Sequence, residues 1–157
     1  MNLAARRVTA ADTEIFLSLA RAFHIEDGHA LDTAGEAAIR EVAAGVELAP
    51  SFLLLEGDEI AGFFVLSLGY SPEHGGTDGF IDDIYIIPDK RGRGLGRQAM
   101  ALALAESRRC GIRVLLLEVE AENDRAYHLY TTLGFTDTRR RLLRLVLAEP
   151  PQPHDPA

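Results

Sequence analysis

The 157-residue chain is long enough for one domain with a sizeable core, and its composition is ordinary for a globular protein, 47% hydrophobic and 25% charged. Its 24 acids against 16 bases give a net charge of −8, which speaks against the basic footprint of a nucleic-acid binder and suits a cationic partner. A single cysteine, Cys110, excludes an internal disulfide, no apolar run reaches the ~20 residues of a membrane span, and the N-terminus lacks a signal-peptide core, so a cytoplasmic protein is expected.

Leu3–Val8 is a short candidate strand, and Thr9-Ala10-Ala11-Asp12 resembles a capped helix start. Ile15, Phe16, Leu19, Ala20 and Phe23 follow at helical spacing, and the helix gives way near Gly28. A second helix is expected from about Thr33 to Leu48, with Ala38, Val42 and Val46 inward. Ser51–Leu55 and Ile60–Tyr70 flank a Gly-Asp turn and predict an antiparallel hairpin, with Gly62 marking a bulge. Residues 71–79, SPEHGGTDG, predict a turn-rich loop. Ile84–Ile87, stopped by Pro88, predicts a buried strand, and the helix formers from Gln98 to Glu106 predict a helix ending at Gly111. Val114–Val119 predicts a central strand, Glu122–Leu133 a helix, and Phe135–Thr138 with Leu142–Leu147 a closing hairpin turned at Arg139–Arg141. The expected class is α+β: a central mixed, mostly antiparallel sheet flanked by helices. Residues 1–148 are expected to form one domain, and the tail 149–157, EPPQPHDPA, to be disordered.

The chemistry-bearing stretch runs from Ile81 to Met100, IDDIYIIPDKRGRGLGRQAM. Strand, glycine turn and helix in succession aim free backbone N–H groups at an anion, the glycines permit close approach, and the arginines add charge-assisted bonds. A phosphorylated ligand is therefore expected here. A dinucleotide site is disfavoured, because the chain does not continue in repeated βαβ units. His24, His29, His74, His128 and His154 carry no metal-ligand spacing, so no metal site is expected.

Arg91-x-x-Gly94-x-Gly96, following Asp83-Ile84-Tyr85-Ile86, resembles the acyl-CoA pyrophosphate loop of the GNAT superfamily of N-acyltransferases. A second block, Glu118-Val119-Glu120-x-x-Asn123-x-x-Ala126-x-x-Leu129-Tyr130-x-x-Leu133-Gly134-Phe135, resembles the C-terminal signature of the same family. Together they imply an N-acetyltransferase that moves an acetyl group from acetyl-CoA to a primary amine, without a metal. The resemblance assigns the cofactor to Arg91, Gly92, Arg93, Gly94, Leu95, Gly96 and Arg97, to the backbone of Ile84, Tyr85 and Ile86, and to Asn123. It makes Tyr130 the acid that protonates the leaving thiolate. Glu118 is the leading base candidate and Glu120 its alternate, on the expectation that a central strand partly desolvates them. Asp82 and Asp83 are rival bases, placed like the acidic pair of polyamine-acetylating members. Glu26, Asp27, Asp32, Glu73 and Asp78 are further candidates to line a cationic acceptor cleft. The acceptor expected is a small cationic amine or polyamine, with a protein lysine or N-terminus as the alternative, or a non-catalytic acyl-CoA-binding module. Homodimers, common in the family, are expected to form through the closing hairpin.

Overall fold

The computed structural model describes residues 2–147, in two compact units divided after Glu120. The first unit holds five strands in one sheet: β1 Leu3–Arg7, β2 Ser51–Glu56, β3 Glu59–Ser71, β4 Gly76–Ile86 and β5 Val114–Leu117. Spatial order follows chain order, antiparallel from β1 to β4 and parallel between β4 and β5. The parallel step needs a crossover, and the helix Leu95–Arg109 supplies it. The expected α+β class with a mixed, mostly antiparallel sheet is what the chain adopts.

Helices α1 Thr13–Glu26 and α2 Thr33–Ala44 lie over one face of the sheet, against Leu53, Phe63, Val65 and Tyr85. Phe16 and Phe23 meet Phe63 edge to face at 5.4 and 6.1 Å. The alternate residues Phe52, Leu54, Phe64 and Leu66 are also buried, so the sheet is covered on both sides, and α3 Leu95–Arg109 packs against β1, β3 and β4.

Three element boundaries differ from expectation. Helix α2 ends at Ala44, where Gly45 adopts φ 112° as a left-handed cap; Ile39 and Ala43 are buried, whereas Ala38 and Val46 face outward. The expected loop over residues 71–79 shrinks to four residues, because Thr77, Asp78 and Gly79 extend the β3–β4 ladder opposite Tyr70, Gly69 and Leu68. Strand β5 stops at Leu117, two residues short of Val119, and has a strand partner on one side only among the described residues.

The second unit contains α4 Asp124–Thr132, with Asn123 as its N-cap. The expected closing hairpin is absent from the described residues: positions 135–147 form no strand, and Leu142, Leu143, Leu145, Val146 and Leu147 are exposed. Asp137 accepts from the Arg139 amide at 2.7 Å and Thr138 from the Arg140 amide at 3.3 Å, with Arg139 at φ 54°. Such local side-chain bonds draw the backbone out of an extended ladder.

Gly62 holds the tightest strand contact. The β2–β3 register shifts here, as the expected bulge requires, and a Cβ on Gly62 would stand 1.9 Å from the Tyr85 carbonyl oxygen. Gly62→Ala is therefore expected to cost on the order of 3 kcal/mol, a fall in Tm of roughly 10 °C by thermal denaturation. Gly69→Ala is the control: its obstacle is the movable Asp78 carboxylate, and its loss should be less than half as large.

Candidate active site

The site begins at an irregularity in β4. Val65 pairs with Asp83 and Leu66 with Ile81, so Asp82 is an extra residue with no opposite number in β3. On the other edge of β4, pairing with β5 runs from Asp78–Val114 to Ile81–Leu117 and stops there. From Asp82 onward that edge has no ladder partner among the described residues, while the opposite edge stays bonded to β3 as far as Ile86. An unpaired strand edge is a template for an extended ligand that can hydrogen-bond like an added strand. Ile84, Tyr85 and Ile86 therefore present backbone; the Tyr85 side chain is buried against Phe23 and Phe63 and belongs to the core.

Beyond Ile86 the chain makes a short turn over Pro88–Lys90 and enters the glycine loop. Gly92 and Gly94 sit at φ 79° and 78°, a region that strains other residues, and a Cβ on Gly92, Gly94 or Gly96 would meet nothing within 4 Å. Gly94 is the N-cap of α3 and brings no side chain to its first-turn amides, so the donors of Leu95 and Gly96 are left for an anion. Leu95 itself is buried and pins the helix start. Open glycines and uncapped amides beside an open strand edge fit a pyrophosphate with an extended arm.

The loop cations are already engaged. Arg91 pairs bidentately with Glu26 at the end of α1, at 2.7 and 2.8 Å, bonds the Ile86 carbonyl at 2.8 Å, and lies 5.3 Å over the Tyr85 ring. Arg93 reaches Glu56 at 2.9 Å, and Lys90 bridges Glu56 and Glu59 at 3.0 and 2.7 Å. Glu56 is 8% exposed, and its bonds to Lys90 and then Arg93 hold its carboxyl below the usual range. Glu26 is held down by Arg91 in the same way.

The candidate bases separate by environment. Asp82 is exposed. The Asp83 side chain is 12% exposed, with His24 Nε2 of α1 3.5 Å from its Oδ2. Burial pushes the Asp83 carboxyl up to about 6, against the pull of His24 and with a further push from Asp82 and Asp27. Glu118 and Glu120 lie past the end of β5 and are exposed, which corrects the expectation that a central strand desolvates them. Of the acids proposed for a cationic cleft, Glu26 binds Arg91, Asp32 caps α2 through the Gly35 amide, and Asp78 pairs with His74 at 3.0 Å.

In the second unit Tyr130 is half-buried with its ring 6.0 Å from Phe135, and burial raises its phenol, which favours the protonated form. Asn123 uses its side-chain oxygen to accept from the Ala126 amide at 3.1 Å, a helix cap first of all. Cys110 closes α3 with its thiol raised by burial, the wrong direction for a nucleophile.

Glu56 and His24 are the residues that sequence reasoning passed over. Glu56 reads from sequence as part of a hairpin turn, but it ends β2 and gains its role only once the chain after β4 delivers Lys90 and Arg93. His24 carried a signal: it falls four residues after Ala20 on the buried stripe of α1, a polar residue where an apolar one is due.

A raised carboxyl means that the folded chain holds its proton more tightly than the unfolded one, so stability declines as pH rises from about 4 to about 6 and the penalty persists above. Asp83→Asn removes it. The variant is expected to melt on the order of 5 °C above the native chain at pH 7.5, with the gain vanishing near pH 4; an equal gain at both would refute the assignment.

Comparison with known proteins follows the same residues. The model of the acetyltransferase (GNAT) family matches residues 15–135, which span both units. A mycothiol acetyltransferase of Geodermatophilus obscurus is 34% identical over 120 residues, covering 74% of this chain but only 38% of that relative's own length. Among solved structures, an integron cassette protein from the mobile metagenome of Cole Harbour Salt Marsh superposes with a TM-score of 0.78 at 33% identity, over 93% of this chain and 91% of that one. AAC(6')-Iy in complex with the bisubstrate analogue CoA-S-monomethyl-acetylneamine shares the fold, with a TM-score of 0.75 at 20% identity, over 94% of this chain and all of that one. The chain belongs to the GNAT family of acetyltransferases.

Proposed function

We propose that the chain transfers an acetyl group from acetyl-CoA to the primary amine of a small cationic molecule. The observation that carries this reading is the opening of β4 from β5 at Asp82, directly before the uncapped glycine loop. In this reading the amides of Gly92 to Gly96 take the pyrophosphate. The free edge of Ile84–Ile86 pairs with the pantetheine arm, so the thioester arrives beside the bulge. Backbone N–H groups at the gap polarise its carbonyl, and holding amine and thioester together supplies much of the rate. A carboxylate among Asp82, Asp83 and Glu118 accepts the proton of the attacking ammonium, the carbon–nitrogen bond forms, the carbon–sulfur bond breaks, the thiolate leaves with a proton from Tyr130, and the second nitrogen proton, lost as the amide forms, restores the phenol. Asn123 supports the cofactor indirectly, by fixing the start of the helix that carries Tyr130.

The acceptor assignment rests on charge. The chain carries −8 overall, and Asp27 and Asp82 both act on Asp83 at the bulge. A small molecule is favoured over a protein because the mycothiol acetyltransferase and the acetylneamine complex are both named for small molecules.

The test is release of free CoA thiol from acetyl-CoA across a panel of amino acids, aminoglycosides, polyamines and lysine peptides. Release is expected with a small cationic amine and not with peptides; the reverse order would move the assignment to protein acetylation, and acetyl-CoA binding without any release would make the chain a binding module. Tyr130→Phe is expected to lower kcat by about 100-fold with little change in KM for acetyl-CoA. Glu118→Gln is expected to lose less than about 3-fold, as its exposure implies; a loss as large as that of Tyr130→Phe would return the base role to Glu118.

A further inference from the structure

We propose that His24 is a positioning residue for this reaction: from the last turn of α1 its Nε2 holds the Asp83 carboxylate at the β4 bulge, in place to take the proton of the acceptor amine. The proposal rests on the transferase reading above and adds to it a residue outside both motif blocks.

Three observations support it. First, His24 Nε2 lies 3.5 Å from Asp83 Oδ2, a distance that one small rotation closes to a hydrogen bond, and sites of this kind are often loose before substrate arrives. Second, both side chains are mostly covered, 23% and 12% exposed, so each is much of the other's polar environment. Third, the phase of α1 is set by the core: Phe16, Ala20 and Phe23 pack inward, with Phe23 against Phe63 and Tyr85, and this fixes His24 beside the bulge and not in solvent. A histidine stands on that stripe in place of an apolar residue, its ring edge-on to Phe23 at 5.0 Å.

The other charged groups around the pair are accounted for. Asp27, which caps the end of α1, and Asp82 on β4 both act on Asp83 and disfavour its negative charge, whereas Glu26 is neutralised by Arg91. His24 is therefore the group that makes a carboxylate at position 83 tenable near neutral pH. In the proposed step the ammonium gives its proton to Asp83, the amine lone pair forms the bond to the acetyl carbon, and the electrons of the carbon–sulfur bond leave with sulfur. Asp83 then releases the proton to water, and the nearby imidazole favours the return of its carboxylate.

The test is the pH profile of kcat/KM for the accepted amine in the native chain, His24→Gln, Asp83→Asn and the double variant. The native chain is expected to lose activity below about pH 6, following the Asp83 carboxyl. His24→Gln should lower kcat roughly 10-fold or more and move that limb to higher pH, because His24 lowers the Asp83 value. KM for acetyl-CoA should stay unchanged. Asp83→Asn should abolish the limb, and adding His24→Gln to it should cost little more, since the two act as a unit. A limb unmoved in His24→Gln, or losses that multiply in the double variant, overturns this proposal alone. A native chain that releases no CoA with any amine overturns it together with the transferase reading.

Discussion

A strand with one residue more than its neighbour cannot keep both of its ladders in register, and the rest of this molecule is arranged around that constraint. The extra residue is Asp82 in β4. The ladder to β3 absorbs it and continues to Ile86, held by the close approach at Gly62. The ladder to β5 does not continue past Ile81 and Leu117. The result is a β4 edge that has no ladder partner from Asp82 onward among the described residues, a state that is tolerated only where something else supplies the bonds. In the proposed reaction that partner is the substrate, and the missing half-ladder is the site.

Charge is distributed with the same economy. The chain is acidic overall, yet its glycine loop and the turn before it concentrate Lys90, Arg91 and Arg93 within four residues. Glu26 and Glu56, from two different elements, hold them apart, and three like charges are thereby kept close without mutual repulsion deciding their positions. The acids read from sequence as a loose cationic cleft are, for the most part, structural: one clamps an arginine, one caps a helix, one pairs with a histidine. What remains at the bulge is Asp27, Asp82 and Asp83 with a single histidine among them.

Much of this is visible in the chain itself, because local signals and the fold agree. The apolar run of Ile84–Ile87, the glycines at 92 and 94 and the helix formers after them point to strand, loop and helix without tertiary information, and the structure has them so. Gly62 announces its bulge. Most of the misses depend on what a segment meets. Thr77–Gly79 reads as loop by composition, but β3 runs alongside it and pulls it into the ladder. Glu118 reads as a half-buried strand residue because LLLEV is apolar, but β5 stops at Leu117 where the ladder parts. The run from Leu142 to Leu147 has strand composition and no strand, since Asp137 and Thr138 bond the backbone locally just before it. Glu56 and His24 become legible only when elements distant in sequence are brought together.

The clamp on Arg91 has a consequence in entropy. A free arginine carries ~2 kcal/mol of rotamer freedom that an anion must remove on binding. Here the guanidinium is fixed at both ends of its fork by Glu26, at its Nε by the Ile86 carbonyl and on its face by Tyr85. That freedom is lost when the chain folds, so it is no longer a charge on binding. Because Glu26 closes the helix that also carries His24, the ordering of the glycine loop and the placement of His24 beside Asp83 belong to one folding event.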